Sequence, residues 1–137
     1  MVVAVEPQLH HIVTDDGVRL ALHRYPVPRG PAVIACHGLS ANRLAFDPRP
    51  DRSLARYLAH AGFDVWLVEL RGSGASERPR PLRWNFDDYL ERDLPALIAA
   101  VRERSGQDEV SWIGHSMGGL VLYAYLATGG KHIRRGI

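Results

Sequence analysis

The sequence predicts an α/β fold with a mainly parallel sheet, and three observations carry this prediction. Continuous apolar runs of strand length lie at residues 31–36, 63–70 and 110–113, which indicates strands buried on both faces. Segments with helical spacing separate these runs, and such alternation is typical of parallel sheets. Before them, two β-rich runs within residues 9–25 flank Asp15-Asp16-Gly17, a turn sequence that favours an antiparallel hairpin at the start.

Three segments repeat apolar residues at helical spacing. They are residues 53–61, 86–101 and 117–128. Gly62 follows the first segment as a C-terminal cap. Pro95 lies inside the second, so we expect a kink there or a second helix start capped by Asp93. The chain shows no internal repeat or low-complexity linker.

The composition predicts one soluble globular unit. The residues are 46% hydrophobic and 23% charged, and the net charge is only +2 without a basic stripe, so we expect no nucleic-acid partner. Cys36 is the only cysteine, which excludes an internal disulfide and favours a reducing, cytoplasmic location. No apolar segment reaches the roughly 18 residues of a membrane span, and residues 1–5 do not form a signal peptide.

One motif carries chemistry, the run Gly114-His115-Ser116-Met117-Gly118, which fits G-x-S-x-G between a predicted strand and helix. A serine hydroxyl attacks a carbonyl only if it projects clear of the fold. A tight strand-to-helix turn achieves this by holding the serine in a strained backbone conformation. The two outer glycines let neighbouring backbone pass without Cβ clashes. We therefore predict that Ser116 is a catalytic nucleophile.

Several segments together resemble the α/β-hydrolase family, and within it the acid-lipase and esterase branch. They are His37-Gly38-Leu39, the loop 71–76 (Arg-Gly-Ser-Gly-Ala-Ser), residues 84–89, residues 93–96 and the 114–118 motif. The resemblance implies an α/β-hydrolase fold, with residues 1–137 forming the N-terminal part of a single domain. It also implies that the amide of Leu39 contributes to an oxyanion hole. Glu69 stands where many relatives carry Asp, a position that we interpret as structural.

Sheet topology predicts the same site without the family. If strand 31–36 lies between strands 63–70 and 110–113, the loops after Cys36 and Ile113 flank a topological switch point, where α/β sheets bind ligands. The amides of Leu39 and Met117 could then converge on the oxygen of a tetrahedral intermediate, with the dipole of the following helix adding positive potential.

The histidines near the site have supporting roles in this interpretation. His115 and Ser116 are adjacent on a tight turn and diverge, so we interpret His115 as a structural elbow residue. His37 is expected to brace the oxyanion loop together with Gly38. The other histidines lack ligand spacing, so no metal site is predicted.

Two further patterns lie near the site in the sequence. Gly72-Ser73-Gly74 begins a dinucleotide-binding pattern, but Glu77 replaces its last glycine, so we predict no cofactor. Arg78, Arg80 and Arg83 either form a solvated loop or steer an anionic substrate.

The resemblance implies that the triad acid and histidine follow the serine. After Ser116, however, there is no Asp or Glu, and the only histidine is His132. Residues 131–137 look like the start of the family's sixth strand, so we expect a truncated chain. Its truncation would leave strand 110–113 on an exposed edge, a route to self-association.

Two functional hypotheses follow. In the first, the complete protein hydrolyses a small-molecule carboxylic ester, esterase- or lipase-like, through an acyl-enzyme on Ser116. In the second, the chain is catalytically incomplete and acts as a binding or assembly module, or has no function alone.

Overall fold

Six strands form one mixed sheet in the computed structural model, which describes residues 5–137. The strands are β1 (Gln8–Val13), β2 (Arg19–Tyr25), β3 (Ala32–Cys36), β4 (Asp64–Glu69), β5 (Val110–Gly114) and β6 (Ile133–Gly136). Their order across the sheet is β1-β2-β4-β3-β5-β6. β1 and β2, and β2 and β4, pair antiparallel, whereas β4, β3, β5 and β6 run parallel. The predicted hairpin and the central position of β3 are therefore confirmed.

Helical segments connect the strands. They are α1 (Leu54–His60), α2 (Phe86–Asp88), a π-helical turn (Tyr89–Asp93), α3 (Leu94–Ser105) and α4 (Met117–Ala127). Ser53 caps α1, since its side chain accepts a hydrogen bond from the Arg56 amide, and Gly62 follows the helix with φ 98°. Among the helices of residues 5–137, none is long and apolar enough to cross a membrane.

Of the two alternatives expected at Pro95, the helix start capped by Asp93 was wrong. Asp93 has helical backbone angles and makes no capping hydrogen bond, because its carboxylate is occupied by Arg71. Pro95 falls in the first turn of α3, where its missing amide is tolerated. The π-helical turn directly before it lets α2 run into α3 without a separate start.

The core lies on both faces of the sheet because successive strand side chains point to opposite sides. Ile34 and Trp66 belong to the larger cluster, which α3 and α4 cover, and Ala35 and Leu67 to the smaller one, which α1 covers. All residues of β3 and β4 are buried. The continuous apolar runs of the sequence thus identified the two central strands.

The C-terminal end of the sheet differs from the prediction. β6 pairs in parallel with β5, aligning Val110 with Ile133, and the Gly114 amide donates to the Ile137 carbonyl at 2.8 Å. The expectation that β5 lies at the edge was therefore wrong. Residues 133–137 suffice to pair it, so within residues 5–137 the edge strand at this end of the sheet is β6.

We expect the edge of β6 to drive self-association. Its unpaired backbone groups lie beside an apolar side chain and can pair with a strand of another copy. Ile137, next to β6, is 82% exposed. Ile137→Lys should weaken association in a dilution series followed by sedimentation velocity. Leu9→Lys is the matched control, since Leu9 is exposed on β1 at the opposite edge. Equal effects of both variants, or a monomer at all concentrations, would contradict this proposal.

Two glycines bring α4 directly against the strand ends. A Cβ on Gly118 would overlap the carbonyl oxygen of Cys36, and one on Gly114 would overlap the backbone of Gly118 and Gly119. The Trp112 indole donates to the Gly118 carbonyl at 2.9 Å. Since backbone meets backbone at these contacts, the helix start has little room to shift.

Alanine substitutions test this packing. Gly118→Ala should lower the free energy of unfolding by about 3 kcal/mol, because the added methyl group overpacks a rigid backbone contact. Gly119→Ala is the control, since its Cβ meets no atom closer than 3.6 Å. It should raise the free energy of unfolding by about 1 kcal/mol through helix propensity. Urea unfolding of both variants measures the difference, and similar values would refute the argument.

Candidate active site

Ser116 occupies a strained turn between β5 and α4. Its φ of 54° and ψ of −117° are rare for a residue with a side chain. Such a conformation costs on the order of 1–3 kcal/mol and persists only where the surroundings impose it. Here the His115 amide donates to the Cys36 carbonyl at 3.1 Å, and the Gly118 amide to the His115 carbonyl at 2.9 Å. The turn leaves Ser116 exposed to solvent.

Two backbone amides near Ser116 are free to bind an anion. The loop after β3 lies beside the serine, since a Cβ on Gly38 would sit 3.2 Å from the Ser116 Cβ. Leu39 follows in that loop, and Met117 opens α4. Neither amide donates a hydrogen bond to any atom of residues 5–137. Unpaired amides near an exposed serine are the kind of groups that an oxyanion hole requires.

His37 is buried between the ends of β3 and β4. One ring nitrogen, Nδ1, lies 2.8 Å from the Gly38 carbonyl, and the Leu70 amide donates to Nε2 at 3.2 Å. This hydrogen-bond pattern assigns the proton to Nδ1. Burial lowers the pKa of His37, which keeps the ring neutral. With both nitrogens occupied, His37 connects the two strand ends and has no lone pair for a serine proton.

Glu69 joins the loops that follow β3 and β4. The sequence indicated only that Glu stands at a structural position where many relatives carry Asp. One carboxylate oxygen accepts from His23 at 2.6 Å and from the Ala75 amide at 3.0 Å. The other accepts from the Arg43 amide at 3.1 Å. Burial alone would raise the pKa of Glu69, but these donors outweigh it and lower the pKa. Gly74 has φ 55°, and its missing Cβ leaves the space that the carboxylate fills.

Gly74 is the sequence feature that could have indicated the contact with Glu69. It lies five residues after Glu69 in a loop whose positive φ and close approach both require glycine. The sequence could show that the loop is tight, but not which side chain lies beneath it.

Arg71 anchors the loop after β4 from the other side. It is 3% exposed and donates through Nε to Asp93 and through Nη1 to Asp16, both at 2.8 Å. The hydrogen bonds from Arg71 lower the pKa of Asp16 to about 2. The Arg71 guanidinium group thus joins the loop after β4 to the hairpin turn between β1 and β2 and to the π-helical turn before α3.

No histidine of residues 5–137 is hydrogen-bonded to Ser116. His115 is exposed on the elbow. His132 accepts, through its carbonyl, from the amide of Val110 at the first residue of β5. It therefore lies about 13 Å or more along β5 from the elbow, at about 3.3 Å per residue. Within the described residues no cluster could hold a metal ion.

Comparison with known proteins places this geometry in a family. A family model described as alpha/beta hydrolase fold matches residues 31–137. Lipase lipl-3 of Caenorhabditis elegans is 35% identical over 87% of this chain and 34% of its own length. Gastric triacylglycerol lipase of Rattus norvegicus is 32% identical over 88% of this chain and 35% of its own length.

A solved structure agrees. The esterase Pf2001 of Pyrococcus furiosus matches with a TM-score of 0.78 and 25% identity, over 96% of this chain and 51% of that one. The chain spans about a third of the length of the curated relatives that it matches. Since the family match and the strand order agree, this chain belongs to the α/β-hydrolase fold family.

Proposed function

We propose that this chain supplies the nucleophile and the oxyanion hole of a serine hydrolase that acts on carboxylic esters. The observation that carries the proposal is the exposed, strained Ser116 between β5 and α4, flanked by the free amides of Leu39 and Met117. The lipase names of the relatives support the substrate class, and an esterase shares the fold.

The chemistry follows from this arrangement. The Ser116 hydroxyl passes its proton to a base while its oxygen forms a bond to the ester carbonyl carbon, and the carbonyl π electrons move onto the carbonyl oxygen. The amides of Leu39 and Met117 stabilise that oxyanion, together with the N-terminal dipole of α4. The C–O bond to the alcohol then breaks, the alcohol leaves with a proton, and an acyl-enzyme remains. Water then attacks the acyl carbon by the same steps, which releases the carboxylic acid and restores the Ser116 hydroxyl.

The proton acceptor is the part of this mechanism that residues 5–137 do not supply. The ring of His37 is fully hydrogen-bonded, and His132 lies at the opposite end of β5. A serine hydroxyl without a positioned base is a weak nucleophile at neutral pH. We therefore propose that the triad histidine and acid lie outside residues 5–137, as expected if the active protein has the length of its relatives.

Labelling with a fluorophosphonate tests the nucleophile. In a longer protein that carries this chain and the remaining triad, the probe should modify Ser116, and Ser116→Ala should abolish the label. Residues 1–137 alone should hydrolyse a p-nitrophenyl ester no faster than their Ser116→Ala variant. Equal labelling of the alanine variant would reject Ser116 as nucleophile, and Ser116-dependent turnover by residues 1–137 would reject an external base.

Two substitutions at Leu39 test the oxyanion hole. The Leu39 side chain is 72% exposed, so Leu39→Ala removes little packing, keeps the amide and should leave kcat nearly unchanged. Leu39→Pro removes the donor and should lower kcat roughly 100-fold or more. Steady-state kinetics in the longer protein measure both, with circular dichroism as a folding control. Similar turnover of the two folded variants would exclude the Leu39 amide from the oxyanion hole.

A further inference from the structure

A groove of about 360 Å³ opens beside Leu39, between the loops that follow β3 and β4. Its walls include Leu39, Ser73, Gly74, Arg78, Trp84 and Tyr89. We refer to it as the Trp84 groove. Its volume lies within the range of small-molecule sites in proteins, and Leu39 is shared with the proposed oxyanion hole.

The charges of the groove favour an anion. None of its lining residues is Asp or Glu, and two are arginines, Arg71 and Arg78. Arg71 is already paired with Asp16 and Asp93. Arg78 is exposed and forms no ion pair within residues 5–137. The groove therefore offers one unpaired guanidinium group.

Two carboxylates near the groove form no ion pair with Arg78. Glu69, beneath Gly74, is hydrogen-bonded to His23 and to two backbone amides. Glu77, next to Arg78 in sequence, accepts from the Arg19 amide at 2.9 Å. Neither carboxylate forms an ion pair with Arg78 within residues 5–137, so its guanidinium group is available to a ligand.

Neutral donors in the same groove also lack acceptors. Trp84 donates its indole N–H to the Tyr89 oxygen at 2.9 Å, which leaves the Tyr89 hydroxyl hydrogen unused. The Ser73 hydroxyl and the Gly74 amide donate to no atom of residues 5–137. A guanidinium group with three neutral donors suits a group that has several acceptor oxygens.

The aromatic wall of the groove, formed by Trp84 and Tyr89, is held by two contacts. The indole of Trp84 packs on Gly72, where a Cβ would lie 2.5 Å from its ring, and the same indole is hydrogen-bonded to Tyr89. Because the aromatic pair is held by both contacts, the Tyr89 hydroxyl needs little ordering when a ligand binds.

We propose that the Trp84 groove binds the phosphate group of an organic phosphoester. A phosphate offers more acceptor oxygens than a carboxylate and therefore matches the four donors better. The groove meets the oxyanion loop at Leu39. If the proposed ester hydrolysis holds, the phosphoester is the substrate itself, with its ester carbonyl directed towards Ser116.

Tryptophan fluorescence provides a direct test. Trp66 and Trp112 are fully buried, so a ligand in the groove reaches only Trp84. Titration of the protein with glycerol 3-phosphate should change the emission saturably, whereas glycerol should not. Arg78→Gln should weaken binding about tenfold through loss of a charged hydrogen-bond donor, and Tyr89→Phe should weaken it less. Arg83→Gln is the matched control, because Arg83 is exposed in the same segment and does not line the groove.

The outcomes separate this proposal from the hydrolase proposal. The Ser116→Ala variant should bind glycerol 3-phosphate as the unmodified protein does. The binding test therefore remains valid even if Ser116 is not the nucleophile. Inorganic phosphate binding as tightly as glycerol 3-phosphate would overturn the phosphoester in favour of free phosphate. Equal weakening by Arg83→Gln and Arg78→Gln, or no saturable change at all, would overturn the site.

Discussion

The buried carboxylate of Glu69 is the interaction on which the candidate site depends. It stands at the end of β4 and binds the Arg43 amide after β3 and the Ala75 amide after β4. His23 on β2 completes its hydrogen bonds. A carboxylate removed from water requires such donors, so burying Glu69 requires that both loops fold back over the sheet.

The strain at Ser116 depends on a second set of contacts, made by backbone rather than by charge. Gly114 and Gly118 let β5, β3 and the start of α4 meet without side chains between them. The hydrogen bond from the His115 amide to Cys36 then fixes the turn to the central strand. A backbone conformation that is unfavourable for serine persists because the neighbouring backbone leaves no alternative. The exposed hydroxyl is a consequence of this packing.

The loops also connect the two proposed sites. Leu39 contributes its amide beside Ser116 and lines the Trp84 groove, while Gly74 packs on Glu69 and lines the same groove. Arg71 holds the loop after β4 to Asp16 and Asp93 from below. The amide of Leu39 and the donors of the proposed groove therefore lie on loops that are held by a few ion pairs and hydrogen bonds.

Sequence patterns alone were enough to predict the fold class, the central strands and the elbow around Ser116. Each of these is a local pattern: an apolar run, a helical period or glycines at fixed spacing, and such patterns depend on neighbours along the chain. Sequence patterns placed the edge of the sheet and the capping of α3 incorrectly, because the pairing of β6 and the contact of Asp93 with Arg71 join distant residues.

The way in which the loops are held depends on contacts between residues that are far apart in the chain. Glu69 and Arg43 are 26 residues apart, and nothing local to either residue specifies their hydrogen bond. The same holds for the Arg71 contact with Asp16, 55 residues away. The free amides of Leu39 and Met117 were visible in sequence as expectations, but whether they lack partners depends on every group packed around them. Donor satisfaction is a property of the folded environment, so sequence patterns cannot determine it.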